Sequence, residues 1–520
     1  MMWWLVVPGV VVVALVGVVI HDLVQREHAI LRNFPVIGHL RFTIEAFGPE
    51  LRQYIVTSND DERPFNRNQR QWVYATAHRT NNYFGFGTDV NFEAVASHMV
   101  IKQSSFPLNN PHPGATVRLP CAKVLGAARQ RPRAVRPASV VNISGMSFGA
   151  LSGPAIEALN RGAALAGCWH NTGEGSVSPG HQHGGELVFQ VGTSYFGCRD
   201  SAGRFDLARL VDVTATNPVT AIEIKLSQGA KPGLGGLLPA AKVTPAIAAI
   251  RGIEVGVDCA SPAAHSEFSD VSGLLDFVER IADATGLPVG IKSAVGDTDF
   301  FVELAERMQG LERGVDFITI DGGEGGTGAG PLVFTDHVAL PFQVAFSRVF
   351  AIFAAAGLSD DIVFIGSAKL GLPDTALLAF ALGCDMVNVG REAMLSLGCV
   401  QAQRCHTGRC PTGVATQSPW LARGLDPAEK SVRVASYIEG LHAELGALSR
   451  ACGVPHPAMV GLDHIELYDG GPTARSAIGA FGYQPGWGRP GTTHLAGLTD
   501  ALAGHDLMFG SAFTPGFTQS

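Results

Sequence analysis

Short β-branched runs alternate with Ala- and Leu-rich stretches from about residue 138 onward, and this alternation limits the fold more than any other feature of the chain. The candidate strands are Val140–Ile143, Cys168–Asn171, Leu187–Val191, Ala221–Lys225, Pro288–Lys292, Phe317–Ile320, Ile362–Ile365 and Met386–Val389. Helical patterns lie between several of them, at Pro154–Ala166, Leu274–Thr285, Phe300–Gln309 and Asp374–Leu382. Eight such alternations predict an α/β fold, a (β/α)8 TIM barrel. Val255–Asp258 is a ninth apolar run, assigned to a long excursion after the fourth strand. An open, doubly wound sheet is the rival. No GxGxxG follows the first strand, which weighs against it.

In such a barrel, chemistry sits in the loops after the strands. Glycine supplies 63 of the 520 residues and clusters in those loops, where backbone must approach a ligand closely. After strand one comes SGMSFGALS (Ser144–Ser152), and after strand two NTGEGS (Asn171–Ser176). KLSQGAKPGLGG (Lys225–Gly236) follows strand four, and strand five ends on Lys292. DGGEGGTGAGP (Asp321–Pro331) follows strand six. GSAKLG (Gly366–Gly371) and GRE (Gly390–Glu392) follow strands seven and eight, the usual place for a phosphate in these barrels. Gly366, Ser367, Gly390 and Arg391 are therefore phosphate candidates. The phosphate could belong to a substrate or to FMN. Lys292 favours FMN, because a strand-end cation stabilises negative charge on a reduced flavin ring. Ser144, Met146, Ser147, Gly325, Gly326 and Thr327 complete the cofactor candidates.

The formal net charge of −8 argues against nucleic acid as a main partner. Nine cysteines, an odd number in a long chain, argue against a disulfide framework. Six are isolated and read as small buried hydrophobes. The other three fall together as Cys399-x5-Cys405-x4-Cys410, followed at once by Pro411. Such closely spaced thiolates suit a soft metal site. Zinc would need a fourth ligand, which His406 could offer; a three-iron cluster would not. Just past strand eight, a cluster would lie near a flavin and act as an electron relay.

Trp3 to Ile20 is a run of 18 residues without charge, long enough to cross most of a hydrocarbon core. A signal peptide would want basic residues before the run and a small-residue cleavage site after it, and neither is there. A buried helix is the remaining alternative. Arg26, Arg32 and Arg41 follow the run, which predicts a cytoplasmic-membrane protein whose bulk lies on the cytoplasmic side. The expected organisation is a transmembrane anchor (1–22), an N-terminal extension (23–110), the barrel with its cysteine segment (111–430) and a C-terminal extension (431–520). In the first extension Trp72, Tyr74, Tyr83, Phe84 and Phe86 are expected to be buried. The second should open on an amphipathic helix near Val432–Leu448 and form a helical cap.

Several motifs together resemble the synthase domain of glutamate synthase: SGMSFGALS, NTGEGS, EIKLSQGAKPG, GGTGAGP and CVQAQRCHTGRCPTGVATQ, in that order. HAILRNFPVIGHLR and GPELRQYIV extend the likeness to the membrane-anchored, single-chain FMN-binding glutamate synthase family. The resemblance implies FMN and a [3Fe–4S] cluster on Cys399, Cys405 and Cys410. It implies reductive amination of 2-oxoglutarate, through 2-iminoglutarate, to L-glutamate. Lys225, Gln228, Lys231 and Arg251 fall on positions that handle the dicarboxylate. Glu174 falls on an acid near the route of ammonia, so Glu174, Gln228 and Lys231 are the catalytic candidates. Instead of a glutaminase domain the chain carries an apolar run, so ammonia or a related amine would come from outside. Electrons would come from a ferredoxin-like or NADPH-oxidising partner, and self-association into a homo-oligomer stays open. Leu234 and Leu237 stand where the family carries acidic and amide residues. That keeps two alternatives in view: a related oxidoreductase with a different amine or 2-oxo acid, such as an N-methylglutamate synthase, and a membrane-bound electron-transfer subunit.

Overall fold

The computed structural model describes residues 3–25, 29–51, 61–83, 85–88, 90–92, 96–111, 117–310 and 313–508. They divide into two compact units, Met1–Gln71 and Trp72–Ser520. In the first, helix α1 (Trp3–Val24) is followed by helix α2 (Gly38–Leu51). The stretch Val7–Val24 of α1 has a mean hydropathy of 2.4, and only 6% of it is buried, so it is long and apolar enough to cross a membrane.

The second unit is built on a closed parallel barrel of eight strands. They are β1 (Val141–Ile143), β2 (His170–Asn171), β3 (Leu187–Val191), β4 (Val219–Lys225), β5 (Val289–Ser293), β6 (Phe317–Asp321), β7 (Val363–Ser367) and β8 (Met386–Val389). Each strand pairs with its neighbours in chain order, and β8 closes on β1 through Val387, Asn388 and Val389 against Val141, Asn142 and Ile143. The strands are buried almost throughout, as a sheet covered on both faces requires. Every expected strand is present, most with ends moved by one or two residues. Helix α3 (Gly153–Ala166) starts where the Ser152 hydroxyl accepts from the Ala155 N–H, and stops at Gly167, whose φ of 68° lies in the left-handed region. No α-helix lies between β2 and β3. Two short 3-10 turns, Gly173–Gly175 and Pro179–His181, make that connection.

The excursion after β4 is real. Leu237–Leu238 and Cys259–Ala260 pair antiparallel, with the exposed Val255 and Val257 just before the second strand. The barrel's lower end is plugged by the segment before β1. Cys121 and Leu125 pack with Trp169, Phe317 and Met386. Lys123 pairs with buried Asp385 at 2.8 Å, and Arg131 with Asp316 at 3.0 Å. Helix α4 (Pro427–Ala451) runs longer than expected and lies along α3. Gly162 allows that closeness, because a Cβ there would come within 2.6 Å of Val434.

The N-terminal extension departs from expectation. Tyr83 and Phe86 are exposed, at 88% and 115%, not buried. Phe84 lies outside the described residues. Burial is concentrated instead in the preceding helix: Val73 is fully covered, and half-buried Trp72 donates to Glu444 of α4 at 2.8 Å. Further on, His98–Ile101 pairs with Ile465–Tyr468, which also pairs with Ala474–Ser476, so the two extensions share one small antiparallel sheet. Those strands are too short, and their partners too distant in sequence, to be recognised from pattern alone.

Candidate active site

The loops at the carboxyl ends of the strands bring most of the sequence candidates together. Glu174 leaves β2 in the turn Gly173–Gly175, and its carboxylate is ion-paired with the Lys225 ammonium at the end of β4. The same ammonium donates to Gln228 Oε1 at 2.8 Å. Room for the carboxylate comes from Gly192, where a Cβ would come within 2.8 Å of Glu174 Oε2, and from Gly236, where it would lie 3.6 Å away. Burial and the nearby Lys292 and Lys231 cations push the Lys225 ammonium down, and the Asp321 carboxylate and the touching Glu174 oppose that push. Lys231 is 8% exposed, and burial lowers its ammonium too. Among the described residues it has no ion-pair partner.

Lys292 sits beneath this group, 3.4 Å from Asp321 Oδ2 at the end of β6. Burial works against its charge, but Asp321 and Glu223 outweigh it and hold the ammonium above the ordinary lysine value. Asp321 also accepts from the Gly229 N–H at 3.0 Å, tying the β4 and β6 loops together. Inside the barrel Glu223 accepts from Asn171 at 2.8 Å, Gln190 at 2.6 Å and Thr319 at 2.7 Å.

Arg251 lies beside the turn that carries Glu174, its guanidinium 3.2 Å from where a Gly175 Cβ would be. It donates to Ser147 Oγ at 3.3 Å and to the Phe148 carbonyl at 3.0 Å, and it stacks on Phe196. Its Nε is buried with no hydrogen-bond partner. Its visible work is to hold the β1 loop against the excursion.

On the cofactor side, Ser144 N–H donates to the Val389 carbonyl at 2.9 Å, stitching the ends of β1 and β8. Ser147 and Met146 lie backbone-to-backbone against Gly173, whose Cβ would meet Ser147 N at 2.7 Å. Arg391, at the start of a short helix after β8, donates to the Glu324 carbonyl and covers Gly326. Gly325 and Thr327 flank that contact in the β6 loop. Gly366 is different. It lies within β7, and a Cβ there would collide with Leu370, Cys384 and Phe342 at 2.7–2.9 Å, so packing explains the glycine. Ser367 ends the strand, its carbonyl accepting from Gly322 N–H. The chain then leaves β7 through Ala368 and Lys369, with φ of 144° and 50°. These loops fit a flavin mononucleotide. Lys292 is a retained buried cation, Gly390 brings bare backbone beside Ser144, whose Cβ lies 3.6 Å from where a Gly390 Cβ would be, and Arg391 supplies a second cation.

The cysteine loop is strapped over the β1 loop. Gln417 donates to the carbonyls of Gly149 and Leu151, and Ser152 N–H donates to the Val414 carbonyl. Lys242 of the excursion donates to the Cys405 carbonyl at 2.6 Å, and the Tyr74 hydroxyl to the Cys399 carbonyl at 2.7 Å. Burial pushes the Cys410 thiol up, but the N–H groups of Ala415, Thr412 and Val414 and the Thr412 hydroxyl pull it below the ordinary cysteine value. Burial raises Cys405, with Cys410 adding to the rise and Lys242 opposing it. The donors suit thiolates, but the three sulfurs are not gathered on one point: among the described residues no group of three or more His, Cys, Asp or Glu could hold a metal ion.

Sequence reading missed several supports. His265 of the excursion bonds the Lys225 carbonyl at 3.0 Å and the Tyr195 hydroxyl at 3.1 Å. Asp321 and Glu223 support Lys292, and Tyr74 holds the cysteine loop. The one available signal was Glu223, an acid inside the apolar strand VTAIEIK.

A family model described as "Conserved region in glutamate synthase" matches residues 120–455. The glutamate synthase large subunit-like protein YerD of Bacillus subtilis (strain 168) is 35% identical over 490 residues, 87% of this chain and 92% of that protein. The archaeal glutamate synthase (NADPH) of Methanocaldococcus jannaschii is 35% identical over 317 residues, 60% of this chain and 59% of that protein. The archaeal-type enzyme of Thermotoga maritima is 34% identical over 318 residues, with the same coverage of 60% and 59%. The match to the Bacillus protein therefore reaches well beyond the barrel, whereas the chain spans little more than half the length of the other two. The chain belongs to the glutamate synthase family and is a glutamate synthase-like oxidoreductase.

Proposed function

We propose that the chain catalyses the reductive amination of 2-oxoglutarate to L-glutamate, using FMN and ammonia from outside the chain. The observation that carries this reading is the meeting of Glu174, Lys225 and Gln228 beside the unpaired Lys231. A dicarboxylate needs cationic partners, and Lys231 is a buried cation without an ion-pair partner among the described residues. Ammonia adds at C2 of the oxo acid and water leaves, giving 2-iminoglutarate. C2 then takes a hydride and the nitrogen a proton. The loops of β1, β5, β6 and β8 would hold FMN, which would supply the hydride. Glu174 takes a proton from arriving ammonium, and Lys225, with its proton loosened by burial and by neighbouring cations, protonates the imine nitrogen. Gln228 and Lys231 hold the substrate carboxylates, while Arg251 positions the Ser147 loop. In the test, the protein is reduced without oxygen and mixed with 2-oxoglutarate and ammonia. Rapid reoxidation of the flavin supports the reading; a bleached flavin that stays bleached sinks it.

A second reading has its own observation. Leu234 and Leu237 are 38% and 52% exposed on the excursion, close to Glu174 through Gly236. Apolar side chains there favour an alkylated amine over ammonia. Faster reoxidation with methylamine than with ammonia would select this alternative. Reoxidation by neither, with passage of electrons to an added acceptor, would select an electron-transfer subunit.

We further infer a [3Fe–4S] cluster on Cys399, Cys405 and Cys410, supported by their spacing and by the thiolate-favouring surroundings of Cys410. Iron and sulfide with an electron paramagnetic resonance signal are expected; zinc without iron would overturn it. A ferredoxin-like or NADPH-oxidising partner would deliver the electrons. Helix α1 would anchor the protein, with its catalytic body on the cytoplasmic side. The chain should then stay with membranes through an alkaline carbonate wash, and release by that wash counts against the anchor.

A further inference from the structure

The first compact unit holds a second apolar feature that the anchor does not account for. On α2 the side chains of Leu40, Ile44, Phe47 and Leu51 are exposed, at 59%, 58%, 61% and 45%, and Ile37 just before them at 74%. They recur at intervals of four, three and four residues, which aligns them along one side of a helix. An exposed apolar stripe of this length is unusual for a helix in water. Arg41, also exposed, lies outside the stripe, and in the sequence Arg26, Arg32 and Arg41 are balanced by Glu27, Glu45 and Glu50.

The junction between the two helices is fixed rather than loose. Asp22, near the end of α1, is fully buried. It accepts from the Val36 N–H at 2.9 Å and from His39 Nε2 at 2.9 Å, in the first turn of α2. Val36 itself has a φ of 63°, so the chain turns sharply just before the stripe begins. The apolar stripe thus starts close after a helix long and apolar enough to cross a membrane.

We propose that α2 lies flat in a lipid surface, with Leu40, Ile44, Phe47 and Leu51 sunk among acyl chains and Arg41 at the level of the headgroups. The proposal rests on the reading that α1 spans the bilayer. The occupant of the stripe is lipid, not a second copy of the chain and not another part of the same chain. Continuity with α1 and the unbroken apolar side of α2 favour that choice.

The full chain is reconstituted in vesicles of equal parts phosphatidylcholine and phosphatidylglycerol. The photoreactive residue p-benzoylphenylalanine is placed singly at Val13 in α1, at Phe47 in the stripe, or at Ala46 on the opposite side of α2. All three native side chains are exposed, so the probe disturbs little packing, and a thermal melt of each variant checks its folding. Irradiation should give lipid adducts at Val13 and Phe47 and none at Ala46. Adducts at Val13, with Phe47 linked instead to protein, within one chain or between two copies, overturn the proposal and leave the anchor standing. The same holds if Phe47 gives no adduct, or if Ala46 and Phe47 label equally. Absence of lipid adducts at Val13 removes the anchor and this proposal with it.

Discussion

Glu174 and Lys225 are 51 positions apart in the chain, yet each is the other's closest charge. Replacing Glu174 by Gln keeps the size and removes the base. It should lower kcat/KM about 100-fold while flavin content stays unchanged. Steady-state kinetics and the visible spectrum check both halves, and unaltered turnover would remove Glu174 from the chemistry. The residue types were legible in the sequence because acids and lysines at strand ends have few reasons to be there other than ligands. Their pairing was not legible, since it depends on where β2 and β4 stand around the barrel. Gly366 carries a second constraint that the sequence did not show. Its position suggested a phosphate, but Phe342 and Cys384, 24 and 18 residues away in sequence, leave no space for a side chain. No local pattern announces such a neighbour.

At the scale of elements, the α3–α4 contact depends on one missing side chain. Gly162→Leu would drive atoms into Val434 and force the helices apart, at a cost of about 1–3 kcal/mol. Thermal melting should fall by several degrees, and a compensating Val434→Ala should recover part of the loss. The barrel strands could be read from sequence because a strand buried on both faces is a continuous apolar run. Strand β2, only His170–Asn171, was readable for its place in the order rather than for its length. The small sheet joining His98–Ile101 to Ile465–Tyr468 escaped notice because its pairing spans most of the chain. The expected burial of Tyr83 and Phe86 failed for a related reason: aromatic content sets a tendency to be covered, and tertiary contacts decide which rings are.

Over the whole molecule, buried neutral histidines set an acid limit. Burial lowers His181 to about 3, His442 to about 4 and His456 to about 3, against 6.5 for an ordinary imidazole. The unfolded chain takes up protons that the folded chain refuses. Stability from these groups is therefore complete above pH 6.5 and is lost as the pH falls from there towards the folded values. Each histidine should cost about 1.4 kcal/mol per pH unit in that window. Melting at about pH 5 should come well below melting at about pH 7, and equal melting temperatures would contradict the burial of these rings. Finally, the Tyr74 hydroxyl reaches the Cys399 carbonyl across 325 positions. A segment synthesised early must wait for one synthesised near the end before the thiol loop takes its final shape. Truncation of the chain past Tyr74 would therefore leave the Cys399 end of that loop without one of its ties.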